Sequence, residues 1–121
     1  MNDLLEAEIN DLHANICAGL AEPKRIMILY SLAERPQTVN DLAAAIGMPQ
    51  SSTSRHLRVL RERGMVHATR QAQSVEYRLG DGRLIQALDL LRGVLRDHIS
   101  HRAGLIDQLD LTAEVAEEAQ P

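Results

Sequence analysis

Two short helix-forming stretches flank Gly47, and their spacing leaves few folds open. In TVNDLAAAIG, Thr38 to Asp41 has the form of a capping box with Asp in the acidic place, and Gly47 supplies a left-handed C-terminal residue. After the turn Gly-Met-Pro, QSSTSRHLRVLRERG places Ser51 or Ser52 at an N-cap, sets Leu57 and Leu60 on one face and ends at Gly64. Two helices joined by a turn of about four residues containing Gly make a helix-turn-helix, here residues 38–63, whose second helix is shaped for the major groove of DNA.

The flanking elements complete a winged unit. Leu5, Ile9, Leu12 and Ile16 recur at helical spacing and predict an amphipathic helix over 3–20, ending near Gly19. Pro23 suits a first helical turn, so a second helix spans about 23–34, with Ile26, Leu29, Tyr30 and Ala33 as its buried face and Pro36 as its stop. Beyond Gly64, MVHATR and SVEYRL alternate as strands (Met65, Val66, Ala68; Val75, Tyr77, Leu79) around a polar QAQ, which predicts a hairpin or wing over 65–79. Asp81 caps a last helix over 81–110 on which Leu84, Leu88, Leu91 and Leu95 are four, three and four residues apart, continuing through Leu105 and Leu109. The acidic tail, 111–121, is expected to fray. The fold class is therefore mainly α with a small β-hairpin (α+β), a single winged helix-turn-helix domain over 1–121. The outer helices 1–20 and 81–110 carry more apolar surface than one small monomer leaves exposed; they either fold back on their own chain or, as favoured here, pair two chains into a homodimer.

Composition narrows the function. A chain of 121 residues has little room for a second domain. No apolar run nears the roughly 18 residues of a spanning helix, and the N-terminus MNDLLEAEIN is acidic where a signal peptide is basic, so a cytoplasmic protein without a membrane partner is expected. Two Tyr and no Phe or Trp cannot build the stacking platforms of single-strand binders. The net charge of −4 hides a pattern: residues 1–22 carry five acids and no base, 50–83 carry seven Arg against three acids, and 84–121 carry three Arg against seven acids. A basic middle between acidic ends suits a duplex-binding face flanked by a separate interaction region.

The segments LAEPKRIMILYSL, TVNDLAAAIGMPQSSTSRHLRVLRERGMV and the wing ending VEYRLGD resemble the ArsR/SmtB family of winged-helix repressors over roughly residues 13–98. SRHLRVLRERGMV is the most specific part; helix, turn and wing alone also suit MarR-like regulators. The resemblance implies a homodimer that binds double-stranded operator DNA as a transcriptional repressor and releases it when a metal, metalloid, thiol modification or other signal arrives.

The residues themselves support such binding. Gln50, Ser51, Ser52 and Ser54 open the second helix with short donors and acceptors for base edges or phosphates, at a helix end that favours phosphate by itself. Arg55, His56 and Arg58 follow on the next turn; Arg grips either guanine or a phosphate. On the wing, Arg70, Gln73 and Ser74 can reach backbone or minor groove, while Arg78 can instead pair with an acid on its own sheet and His67 is a wing surface residue.

For the sensor, the family's metalloid motif CxC is replaced by Thr38, Val39 and Asn40. Its last-helix metal motif keeps Asp81 but has Arg83 in place of histidine, and His98 and His101 stand about one helical turn too late. Another set remains: His13 and Cys17 are i and i+4 on the first helix, Asp97 and His101 are i and i+4 on the last, with His98 beside them. If the helices cross in a dimer, these suit a transition-metal ion, Zn, Ni, Co or Cu. The plain alternative has His13 in solvent, Cys17 buried as a small apolar residue, and the histidines as a polar helix end. Cys17, the single cysteine, also leaves a thiol-redox regulator open, through pairing across a dimer or single modification.

No enzyme is expected: the chain has no phosphate-cradling glycine loop, no HExxH and no nucleophile elbow. The rival of another class is a winged-helix protein-interaction module without an effector, which duplex binding that weakens with salt would distinguish.

Overall fold

The computed structural model describes residues 1–118, apart from the side chains of 106 and 110–118. Met1–Ile85 form one compact unit, and the last helix from Gln86 onward forms another. The first unit begins with α1, Asp3–Leu12, capped by Asn2, whose Oδ1 accepts from the Leu4 N–H at 2.8 Å. The chain continues without a break through a π-helical turn, His13–Cys17, into α2, Ala18–Leu20. The predicted helix over 3–20 is thus present, with one wider turn inside it.

Helix α3, Pro23–Glu34, starts with Pro23 in its first turn and the Glu22 side chain accepting from the Lys24 N–H. Its buried residues are Ile28, Leu29 and Leu32, not the predicted face of Ile26, Leu29, Tyr30 and Ala33. Only Leu29 is common to both, because the helix is rotated so that Ile28 and Leu32, one turn apart, enter the core while Ala33 stays exposed. A short strand absent from the sequence reading follows: β1, Gln37–Thr38. Buried Gln37 donates from Nε2 to the Ser31 carbonyl at 2.8 Å and to Ser31 Oγ at 3.0 Å, so its amide is not left unpaired in the core.

Helix α4, Val39–Ile46, is capped by Thr38, whose Oγ1 accepts from the Asp41 N–H at 3.2 Å, and it ends at Gly47 with φ 73°. Helix α5, Gln50–Glu62, begins two to three residues earlier than expected. Pro49 occupies the N-cap, so Ser51 and Ser52 lie inside the helix, where they do not act as caps. Strands β2, Val66–Gln71, and β3, Ser74–Leu79, form the wing around a two-residue turn, and Ala72 in that turn adopts φ 52°. The sheet order is β1-β3-β2, antiparallel throughout, with Gln37 opposite Tyr77 and Val66 opposite Leu79.

The core of this unit lies among α3, α4, α5 and β2. Ile28, Leu29, Leu42, Leu57, Leu60 and Val66 are completely buried, with Met65 and Leu32 nearly so. Each full burial of such a side chain contributes about 1.5–3 kcal/mol. The final helix α6, Arg83–Glu118, passes the expected end at 110 and takes in most of the acidic segment, whose Ala and Glu residues are good helix formers; residues 119–121 lie outside the described residues. Along its described length from Gln86, Leu90, Leu91, Val94, Leu95, Ile99, Leu105 and Leu109 are exposed.

Asp81 receives the Arg83 N–H at 2.9 Å and pairs with the Arg83 guanidinium at 2.7 Å. Those bonds, the side-chain ones foremost, hold its carboxyl down to about 2 from an ordinary 3.8. Because the folded value is depressed, the contribution of Asp81 to stability is expected in full above about pH 4 and to fade as pH falls toward 2. Comparing melting of the parent protein and Asp81→Asn across that window checks it: the parent should lose its advantage on acidification. Gly80 is packed against backbone, since a Cβ there would stand 2.6 Å from the Gly64 carbonyl oxygen, whereas one at Gly82 would meet nothing within 4 Å. Gly80→Ala is therefore expected to lower stability by about 1–3 kcal/mol and Gly82→Ala to change it by less than about 1 kcal/mol, measured by urea denaturation.

Candidate nucleic-acid interface

Which side of α5 can meet DNA follows from which side is buried. Thr53, Leu57 and Leu60 face the core, and the Thr53 hydroxyl donates to the Pro49 carbonyl at 3.0 Å. At helical spacing the opposite face carries Ser51, Arg55 and Arg58, all exposed. Gln50 and Ser54 are exposed on one flank, and Ser52 and His56 are half-buried on the other. Pro49 provides no side-chain cap, so the first-turn N–H groups of α5 keep their capacity to receive an anion.

Arg61 and Tyr77 are two interface candidates that the sequence reading missed. Ser54, Arg58, Arg61, Glu62 and Tyr77 line one cleft, which carries the positive face of α5 across to strand β3. Arg61 follows Ser54 and Arg58 at intervals of four and three, a signal present in the sequence, whereas Tyr77 joins them only through the hairpin fold. On the wing, Arg70, Gln73 and Ser74 are exposed near its tip, and the Ser74 hydroxyl donates to the Gln71 carbonyl at 3.1 Å, tying the turn closed. Arg78 is opposite His67 in the register, so the residue directly across from it is not an acid. His67 itself is exposed.

His56 stands apart from the outward face. Partial burial and the positive charge of Arg25 lower its pKa below the ordinary 6.5, Glu22 opposes them, and Arg55 adds to the lowering. Its electrostatic neighbours are thus the start of α3 as well as Arg55, and the structure moves it from the reading face to the flank against that helix.

Of the proposed metal donors, His13 and Cys17 stand at the two ends of the π-helical turn and both are exposed. Exposure of the free Cys17 thiol replaces the alternative that it is a buried apolar residue. Asp97, His98 and His101 are exposed on α6. Among the described residues, no three or more His, Cys, Asp or Glu side chains are gathered as a metal site within one chain. No helix among them is long and apolar enough to cross a membrane.

A helix-turn-helix that turns serines and arginines outward, followed at once by a hairpin with a polar tip, defines a winged helix-turn-helix DNA-binding domain. Comparison with known proteins supports this class. The sequence profile of the arsR family of bacterial regulatory proteins matches residues 22–68. The HTH-type transcriptional regulator NmtR of Mycobacterium tuberculosis is 47% identical over 76 residues, covering 63% of this chain and 63% of NmtR, just under two thirds of its length. The biofilm growth-associated repressor of Xylella fastidiosa is 33% identical over 87 residues, covering 72% of this chain and 75% of the repressor. Among solved structures, the homodimeric winged helix-turn-helix DNA-binding domain of Mb0332 from Mycobacterium bovis, described as a possible ArsR-family regulator, superimposes with a TM-score of 0.70 at 28% identity, covering 84% of this chain and 93% of that one. The chain belongs to the ArsR family, whose members are DNA-binding transcription regulators and not enzymes.

Replacing Arg55 by Ala is expected to weaken duplex binding by about 1–3 kcal/mol, and an unchanged affinity in a fluorescence-anisotropy titration would remove it from the interface. Arg61→Ala is expected to weaken binding evenly across duplex sequences and to reduce the salt dependence by about one ion, as loss of a phosphate contact does.

Proposed function

We propose that the protein is a homodimeric transcriptional repressor that grips operator DNA with α5 and the wing and lets go when an effector binds. The outward face of α5 carries this reading: Ser51, Arg55 and Arg58 stand exposed together beside a helix end without a side-chain cap. Serine and the helix N-terminus hold phosphates and set register, and arginine supplies either base-edge or backbone contact. The wing residues Arg70, Gln73 and Ser74 extend the grip to the neighbouring backbone.

The second copy is argued from apolar surface. Leu4, Leu5, Ile9 and Leu12 on α1, and the row from Leu90 to Leu109 on α6, are exposed in a single chain. Faces of this size are covered by association in stable soluble proteins. The Mb0332 domain is homodimeric, and a two-fold protein suits two half-sites about one turn of DNA apart. The Xylella relative is named a repressor, which supports the direction of control. The place of action is the cytoplasm, where operator DNA lies.

For the effector, the donor set suits a transition-metal ion. One thiol and one imidazole on the first helix, with a carboxylate and two imidazoles on α6, are the ligand types of Zn, Ni, Co and Cu sites. Neither helix alone fills a four-coordinate shell. When bound, the ion would be held by these thiol, imidazole and carboxylate groups.

The test uses full-length protein and duplexes enriched from a random library by repeated binding. Affinity for the enriched duplex is expected to fall steeply between about 50 and 200 mM salt. Failure to enrich any duplex, or binding indifferent to salt, would sink the operator reading. Adding Zn, Ni, Co or Cu is expected to release the duplex, and the double variant Cys17→Ser, His101→Ala to blunt that response. Indifference to all four ions would reject the metal effector and leave DNA binding standing.

A further inference from the structure

Arg63, the residue that ends α5, turns its guanidinium away from the reading face. Its Nη1 donates to the Ala14 carbonyl at 2.7 Å and to the Asn15 carbonyl at 3.1 Å, nearly fifty positions back along the chain. Both carbonyls belong to the π-helical turn. Such turns widen the backbone and alter the regular pattern of carbonyl partners, and they are frequent at functional positions. Here the wide turn supplies two acceptors close enough for one guanidinium nitrogen.

The approach is built around a glycine. A Cβ on Gly19 would stand 3.0 Å from Arg63 Cδ and 2.8 Å from Met65 Sδ, so the bare backbone at Gly19 lets the arginine stem pass. A second arginine secures the same stretch, with Arg25 of α3 donating from Nε to the Gly19 carbonyl at 2.7 Å and from Nη2 to the Ala18 carbonyl at 3.1 Å. The forked, permanently charged guanidinium suits paired carbonyls of this kind. The hydrophobic core does not include Arg63, so the unit has its own reason to fold without it.

We infer that Arg63 is a positioning residue for DNA binding: it fastens the end of the recognition helix to the π turn, so that the first helix sets the direction in which Ser51, Arg55 and Arg58 point. This rests on the operator-binding reading. A dimer must present two reading faces at a fixed separation along the duplex, and a small rotation of each face is felt twice. The first helix, whose apolar side awaits a second chain, and the recognition helix are thereby made one mechanical piece. His13 and Cys17 begin and end the turn that Arg63 holds.

The experiment compares the parent, Arg63→Ala, Arg63→Lys and Gly19→Ala as full-length proteins, reading affinity for the enriched duplex, its salt dependence, dimer mass and melting temperature. Arg63→Ala is expected to lose about tenfold in affinity, because without the tie only about a tenth of the molecules keep the binding-ready orientation, while the dimer and the salt dependence stay as in the parent. Arg63→Lys should recover part of the loss. Gly19→Ala should reproduce it by displacing the Arg63 stem, with some fall in melting temperature because its Cβ would also stand 2.8 Å from the sulfur of buried Met65; the Arg63 variants therefore carry the test. Parental affinity in Arg63→Ala would overturn the inference. So would a loss accompanied by a salt dependence smaller by about one ion, which would make Arg63 a phosphate contact, or a loss explained entirely by unfolding or dissociation of the dimer. If the parent itself bound no duplex while folded and dimeric, the operator reading would fall first; an Arg55→Ala control that loses affinity beside an unaffected Arg63→Ala would reject only the positioning role.

Discussion

Burial of Thr53, Leu57 and Leu60 in the core shared with α3 and α4 determines which side of α5 faces solvent, and the chemistry of the molecule follows from that orientation. A helix has one direction of freedom that matters here, rotation about its axis. Two fully buried leucines three residues apart leave that rotation no slack, since a turn of the helix large enough to hide Arg55 would expose them. This packing decides which face is outward, whereas the bonds from Arg63 to the π turn bear on how the whole helix lies against the first helix. Gly47 completes the arrangement by reversing the chain within a tight turn, so that α4 braces α5 from behind.

The charge of the chain is arranged on the same logic. An acidic protein can bind a polyanion when its arginines are gathered on one surface and its acids are kept elsewhere, because screening in salt solution confines each charge to its own neighbourhood. Arg55, Arg58 and Arg61 stand on the solvent side of a single helix, with Glu62 as an acid in their cleft, whereas Asp3, Glu6, Glu8 and Asp11 of α1 and the acids of the last helix belong to the elements with exposed apolar sides. In the proposed reading, binding of DNA and association of subunits thus fall to different parts of the chain.

Much of this was legible in the residue pattern. Helix 3–20, the helix-turn-helix and the wing follow from apolar spacing, from Thr38 as a cap and from Gly47 as a stop, all local signals. The misses have non-local causes. Strand β1 is two residues long and exists because β3 accepts it; nothing within Gln37–Thr38 announces a strand. The serines of QSSTS looked like caps because serine favours that place, but Pro49 starts the helix first and leaves the serines on its surface. On α3 the apolar residues are dense enough to fit two faces, and only packing chooses Ile28 and Leu32 over Ala33. For the site, exposure of Ser51, Arg55 and Arg58 could be anticipated from Leu57 and Leu60, whereas the half-burial of His56 and the cleft that Tyr77 shares with Arg61 depend on neighbours far away in sequence. The π-helical turn has no marker at all in the pattern of apolar residues.

The position of Cys17 has a practical consequence. It is the single thiol of the chain, it is exposed, and it ends the π-helical turn two residues before Gly19. A spin label or fluorophore attached there would be unique in each subunit without any engineering, and two copies in an assembly would give one distance. Following that distance as duplex is added would turn a natural side chain into a ruler for the quaternary arrangement.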